Sequence, residues 1–361
     1  MSFWHFVHTS IVAPSVAMRA TVRATALTAM LAMGMAAVAS SAQAQDAKTF
    51  YRGKTVRLIV GSATGGGYDL FARLLAPYLG KALDATVVVE NQPGAGGLTA
   101  LNRHVHAHPD GLQIMIVNGV AAAMSQLVEL DSVHYDLSKF GILGIVNAEP
   151  WVWLMSPKLP VKTPAEILRE HKQIAWGGSG LVSGLADGAA MTCDALDLNC
   201  KIVLGYPGSN EVSLALGRGE VDALYVSELP ALNYVNSGVG RIVAAIAPKR
   251  VRSFPNTPTI FEAVDLTADQ KARFDFRIAL DQLGRILVAP PNMPKDRLAY
   301  LQSAVKQVLQ DPAVIAEGER RQLYVDYRDP QQTQMLISTL FDKLTPEKRE
   351  QLKDVTLRKY H

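Results

Sequence analysis

The sequence predicts an α/β protein with mainly parallel sheets, and three observations predict it. Short β-branched runs recur along the chain, glycine turns follow several of them, and apolar residues at helical spacing resume behind those turns. Strands and helices alternating at this interval read as βαβ units. The 361 residues, at about 150 per domain, give two domains as a prior. Hydrophobic residues at 48% and charged residues at 19% supply a sizeable core and exclude a disordered chain.

Before the first strand, Arg19 and Arg23 precede an uncharged run over 24–44 that ends Ser41-Ala42-Gln43-Ala44. A basic start, an apolar middle and small residues at −3 and −1 describe a secretory leader, cut after about Ala44. An N-terminal anchor helix is the rival reading, because the run is just long enough to span a membrane. Met18 is an alternative start of translation. Cleavage would take two of the 36 basic side chains and none of the 33 acidic ones, leaving a nearly neutral exported chain. Such balance does not suit a protein that neutralises phosphates. Aromatics at 7% are thin for base stacking, so nucleic-acid binding is excluded.

The first strand is expected over 55–60, ending in Gly61-Ser62-Ala63-Thr64-Gly65-Gly66-Gly67. Leu70, Phe71, Leu74, Leu75, Tyr78 and Leu79 then recur at helical spacing. A second strand over 86–90 runs into Asn91-Gln92-Pro93-Gly94-Ala95-Gly96-Gly97 and a helix to about His106. A third strand covers 113–117. Further strands are expected over 142–146, 151–155, 174–176, 201–204, 221–226 and 242–246, with helices from Pro164, behind Gly177-Gly178-Ser179-Gly180, and from Gly208-Ser209. Pro255 and Pro258 mark an irregular crossing. A strand over 286–289 leads to an amphipathic helix carrying Leu298, Leu301, Val305, Val308 and Leu309, and the polar tail from Pro330 is helical in pattern.

Candidate chemistry lies in the turns. Glycines at 65–67 let the backbone turn sharply, and a helix start adds partial positive charge, so Ser62, Thr64, Gly65, Gly66 and Gly67 could hold a carboxylate or phosphate. A plain tight turn fits the spacing nearly as well. No Lys-Ser/Thr pair follows, so this is not a Walker loop, and Thr99 breaks a dinucleotide fingerprint begun by Gly94, Ala95 and Gly96. No cofactor is expected. Gly178, Ser179, Gly180 and Ser183 offer backbone and hydroxyl donors, and Leu181 spoils a nucleophile elbow. His104, His106 and His108 have no carboxylate at ligand spacing, so a metal site is not expected. Asp69, Glu90, Glu228 and Asp281 form no paired-acid or triad pattern, and Asp69 reads as a first-turn charge. Cys193 and Cys200 could form a local disulfide in an oxidising compartment or stay free.

Taken together, Tyr51 through Val60, Gly65-Gly66-Gly67-Tyr68-Asp69 and Val88 through Gly97 resemble the receptors of tripartite tricarboxylate transporters, the Bug-type periplasmic solute-binding proteins. Later matches are Gly205-Tyr206-Pro207-Gly208-Ser209, Leu216 through Asp222, Phe254 through Thr259 and Ala289 through Lys295. The resemblance implies a two-lobed Venus flytrap of type II with a mainly parallel sheet in each lobe. It places lobe 1 over 45–148, lobe 2 over 149–270 and a return to lobe 1 with C-terminal helices over 271–361. It implies a non-enzymatic, monomeric receptor that takes a small carboxylate between its lobes and presents it to integral-membrane subunits. One carboxylate would be held through the first glycine loop and ordered water, not by an arginine. On this reading Asp69, Asn118, Ser209, Ser227 and Glu228 join the loop residues around the ligand, with Glu228 facing either the cleft or solvent. An exported hydrolase using the same cleft, or a sensor for a signalling partner, are the alternatives.

Overall fold

The computed structural model describes residues 47–170 and 172–361. The expected leader lies outside the described residues. Strand β1 (Thr55–Val60) is followed by α1 (Gly67–Leu83), β2 (Thr86–Asn91), α2 (Leu98–His104), β3 (Gln113–Asn118), α3 (Gly119–Leu127) and β4 (Gly141–Asn147). A three-residue link leads to β5 (Trp151–Met155), α4 (Pro164–Glu170), β6 (Ile174–Gly177), α5 (Gly184–Ala195), β7 (Cys200–Val203), α6 (Ser209–Arg218), β8 (Ala223–Ser227), α7 (Glu228–Asn236) and β9 (Arg241–Ile246). The chain continues through α8 (Ile260–Ala263), α9 (Ala268–Asp281), β10 (Arg285–Ala289), α10 (Lys295–Leu309), α11 (Pro312–Arg320), α12 (Pro330–Asp342) and α13 (Pro346–Asp354).

Two five-stranded sheets result, in the orders β2-β1-β3-β10-β4 and β7-β6-β8-β5-β9. The two orders are the same pattern. In each sheet three strands are parallel, and the fourth is antiparallel to both its neighbours. That antiparallel strand is the one arriving from the other lobe: β5 comes from β4, and β10 comes from α9. The sheets are therefore mixed with parallel cores, because each crossing enters its sheet against the local βα direction. Strands such as β3 and β8 are buried on both faces, as helix-covered parallel strands require.

Local chemistry sets the boundaries that matter for function. Asn118 caps α3, its Oδ1 accepting from the Ala121 N–H at 3.1 Å. Ser183 caps α5 by accepting from the Ala186 N–H. Helix α9 starts with a capping box, Thr267 and Gln270 each bonding the other's backbone N–H. This helix was not expected from periodicity, because its sequence is polar. It packs against α5 of the second lobe and against α3 and α12 of the first. Cys193 and Cys200 are joined (S–S 2.10 Å), tying α5 to the start of β7.

Candidate functional site

In an α/β sheet the loops at the carboxyl ends of parallel strands carry the helix N-termini, and ligands settle there. Here those loops from both sheets converge on a cavity of about 860 Å³. From the first lobe it takes Ala95 and Gly96 behind β2 and Asn118 behind β3. From the second it takes Ser179, Gly180 and Ser183 behind β6, Ser209 behind β7 and Ser227 behind β8. A smaller cavity of about 350 Å³ adjoins it, sharing Gly96 and Asn118 and adding Ser62 and Gly94. The Ser62 hydroxyl beside this smaller cavity is buried and has no hydrogen-bond partner among the described residues. Ser227 stands at the N-cap of α7 yet makes no capping bond. The first N–H groups of a helix have no intrahelical partner, and Gly184 and Leu185 bring two such groups of α5 to the wall.

Other expected residues work one step back from the cavity. Asp69 is 1% exposed and accepts from the Gly65 N–H (2.8 Å), Arg73 Nε (2.9 Å) and Asn91 Nδ2 (3.0 Å). Burial alone would raise its carboxyl, but hydrogen bonds from Arg73, Gly65 and Asn91 outweigh it and lower the pKa. Asp69 therefore braces the glycine loop. Thr64 meets Asn91, and Gly65, Gly66 and Gly67 complete the turn without lining either cavity. Gly178 packs on α5, where a Cβ would lie 2.7 Å from the Ala186 methyl carbon. Glu228 does not line the cleft; its Oε1 accepts from the Ser253 N–H at 2.9 Å. The Ser183 hydroxyl donates to the Gly180 carbonyl at 2.7 Å, so its role is to fix the loop. Gly61 and Gly97 meet back to back: a Cβ on Gly61 would sit 2.7 Å from the Gly97 Cα.

No cation stands beside the loops in sequence, but the fold brings one in. Arg285, at the head of β10, lines the cavity and pairs with Glu149 at 3.0 Å. Its guanidinium lies over the rings of Tyr68 (5.1 Å) and Phe71 (4.6 Å). Asp281, Trp151 and Tyr68 also line the wall and were not expected there as a group. The i,i+4 pair Arg277 and Asp281 behind a Thr-x-x-Gln capping box was the available signal for that part of the site.

Behind this wall sits a buried charge cluster. Arg277 on α9 bonds Asp187 of α5 at 2.7 Å and Asp281 at 2.6 Å, all three being at most 2% exposed. The Tyr225 hydroxyl donates to Asp281 at 2.6 Å, and its ring stacks on Trp151. One guanidinium thus faces two carboxylates, and Asp187 Oδ2 has no hydrogen-bond partner among the described residues. Burial, opposed by Arg277, pushes the Asp187 pKa up to about 6. The folded chain therefore keeps a proton that an unfolded aspartate releases near pH ~4. The stability from that proton is full below about pH 4 and is lost as pH rises through about 6. Asp187→Asn lacks this titration. Urea unfolding should show the wild-type stability falling relative to Asp187→Asn by about 2 kcal/mol between about pH 4 and pH 6.5. Parallel pH profiles would show that Asp187 stays ionised throughout.

His104 is buried with its pKa pushed down to about 4 by desolvation, and it faces Phe140, not the cavity. Among the described residues no group of three or more His, Cys, Asp or Glu could hold a metal ion. No described histidine lines the large cavity, so its serines have no imidazole base beside them.

Two lobes with matching parallel-cored sheets, and a cavity walled by the carboxyl ends of both, define a two-lobed periplasmic binding protein fold. The chain belongs to the tripartite tricarboxylate transporter family receptors, whose family model matches residues 71–349. These are solute-binding receptors, a non-enzymatic part of a transporter. The chain is 25% identical over 283 residues to a UPF0065 protein of Bordetella pertussis, across 77% of this chain and 83% of that one. It is similar to MatC from Rhodopseudomonas palustris with bound malate (24% identity, TM-score 0.62, 84% of this chain and 99% of that one). It is also similar to an R. palustris protein with adipate (21% identity, TM-score 0.66, 83% of this chain and 97% of that one).

Proposed function

We propose that this protein captures a small carboxylated metabolite in the large cavity and presents it to the membrane subunits of a tripartite transporter. It would act as a periplasmic monomer after cleavage of its leader near Ala44. The observation that carries this reading is the convergence of hydroxyls and helix N-termini from both lobes on one cavity. Such donors favour an anion, and closure of the lobes around it would strengthen each bond by excluding water. Structures similar in fold hold malate and adipate, which supports a carboxylate as the ligand.

Calorimetric titration of residues 45–361 with C4 to C6 carboxylates tests the proposal. Saturable binding without product is expected, and Ser179→Ala should weaken it by about 1.5–3 kcal/mol, the value of a charged hydrogen bond. Failure of every acid to bind would overturn the reading. Unchanged affinity in Ser179→Ala would remove that hydroxyl from the site.

A further inference from the structure

We propose that Glu149 and Arg285 select, within this cavity, a carboxylate that also carries an ammonium group over a plain dicarboxylate. The proposal rests on the receptor reading above and narrows its ligand class. Glu149 stands in the short link between β4 and β5, and Arg285 opens β10, so both lie where the chain crosses between lobes. Both line the cavity.

The pair is only half satisfied by the protein. Glu149 Oε1 accepts from Asn147 Nδ2 (3.2 Å) and Arg285 Nη1 (3.0 Å). Its Oε2 is buried and has no hydrogen-bond partner among the described residues, in a side chain only 8% exposed. Arg285 Nη1 also donates to Asn147 Oδ1 at 2.9 Å, whereas Nη2 makes no hydrogen bond among the described residues. Two adjoining side chains of the wall thus hold a buried carboxylate oxygen and a guanidinium nitrogen that have no hydrogen-bond partner among the described residues. An unpaired carboxylate oxygen in a desolvated wall is costly, and a charged donor answers it best.

Charge makes the same selection. The ionisable side chains on the cavity wall with fixed charge partners are Glu149, Asp281 and Arg285, and Asp281 is already engaged by Arg277 and Tyr225. A plain dicarboxylate would bring two negative charges to a wall whose one cation is already paired. An amino acid brings its ammonium to Glu149 Oε2 and its carboxylate to Arg285 Nη2. Attraction then replaces repulsion at the same oxygen.

Matched acids provide the test. Succinate, malate and aspartate share one skeleton and differ by hydrogen, hydroxyl or ammonium at a single carbon. Adipate and 2-aminoadipate form a longer pair. Calorimetry on the wild-type protein should show the aminated acid binding at least about tenfold tighter than its plain partner in one of the series, with malate between succinate and aspartate. Glu149→Gln keeps the shape but cannot hold an ammonium ion as a carboxylate does, and it should bring that ratio to within about threefold. A thermal melt establishes that the variant is folded, and the wild-type ratios stand without it. Equal affinity for aminated and plain acids in both series, or a preference that survives Glu149→Gln, would overturn the proposal while leaving the receptor reading intact. Failure of all five acids to bind would overturn both.

Discussion

Arg277→Met is expected to lower the unfolding free energy by about 3–5 kcal/mol, the usual result of removing one partner from a buried ion cluster. The substitution keeps a long apolar side chain, so little volume is lost. What it strands is charge: Asp187 and Asp281 are both buried, and Arg277 is the cation bonded to each. It also removes the cation lying 4.9 Å from the Tyr225 ring centre and 5.8 Å from that of Trp151. Adding Asp187→Asn and Asp281→Asn should recover much of the loss, because the penalty belongs to the unpaired carboxylates. Urea unfolding of Arg277→Met alone, with either Asp→Asn change and with both separates these contributions. A single Arg277→Met variant as stable as wild type would mean that the carboxylates are protonated or hydrated without it.

Why the sequence could not announce this cluster is instructive. Helix α9 reads Ala-Asp-Gln-Lys-Ala-Arg-Phe-Asp-Phe-Arg-Ile-Ala-Leu-Asp, in which Arg277 and Asp281 look like an exposed i,i+4 pair. Their burial depends on Asp187 and Tyr225, which lie 90 and 52 residues from Arg277 in the chain. By contrast, β1 and β3 were legible because buried parallel strands are nearly continuous apolar runs, and the edge strand β2 because its β-branched run ends in a glycine-rich turn. The place of β10 between β3 and β4 was not legible, since nothing local in Arg285–Ala289 specifies its neighbours.

The candidate site divides along the same line. Ser62, Asn118, Ser179, Ser209 and Ser227 were legible because each follows a strand and precedes or caps a helix, and such loops gather at one end of the sheet. Asp69, in the first turn of α1, and Ser183, at the N-cap of α5, adjoin the same kind of loop, but their side chains close local hydrogen bonds. Residue type and position do not separate a side chain that faces a ligand from one that holds the loop. Arg285 and Glu149 were missed for the opposite reason. They belong to crossings between lobes and not to strand-to-helix loops, and they meet across 136 residues of chain.

Gly284 tests whether that crossing must keep its present geometry. Its φ is +41°, and a Cβ there would lie 2.1 Å from the Asn147 carbonyl oxygen and 2.8 Å from the Ala148 Cα. Both obstacles are backbone, so no side-chain rotation relieves them. The Gly284 carbonyl also accepts from the Gly119 N–H at 2.9 Å, which pins the same turn to the start of α3. Gly284→Ala should therefore cost about 2–5 kcal/mol, combining left-handed backbone strain with overpacking. Gly180→Ala is the control, because its added Cβ meets nothing within 4 Å and its stability should stay within about 0.5 kcal/mol of wild type. Ligand affinity should fall with Gly284→Ala as well. Asn147 holds both Glu149 and Arg285, so moving its backbone moves the selective pair. A Gly284→Ala protein with wild-type melting and wild-type ligand preference would show that the crossing yields easily. It would also mean that the alignment of Glu149 and Arg285 does not depend on this turn.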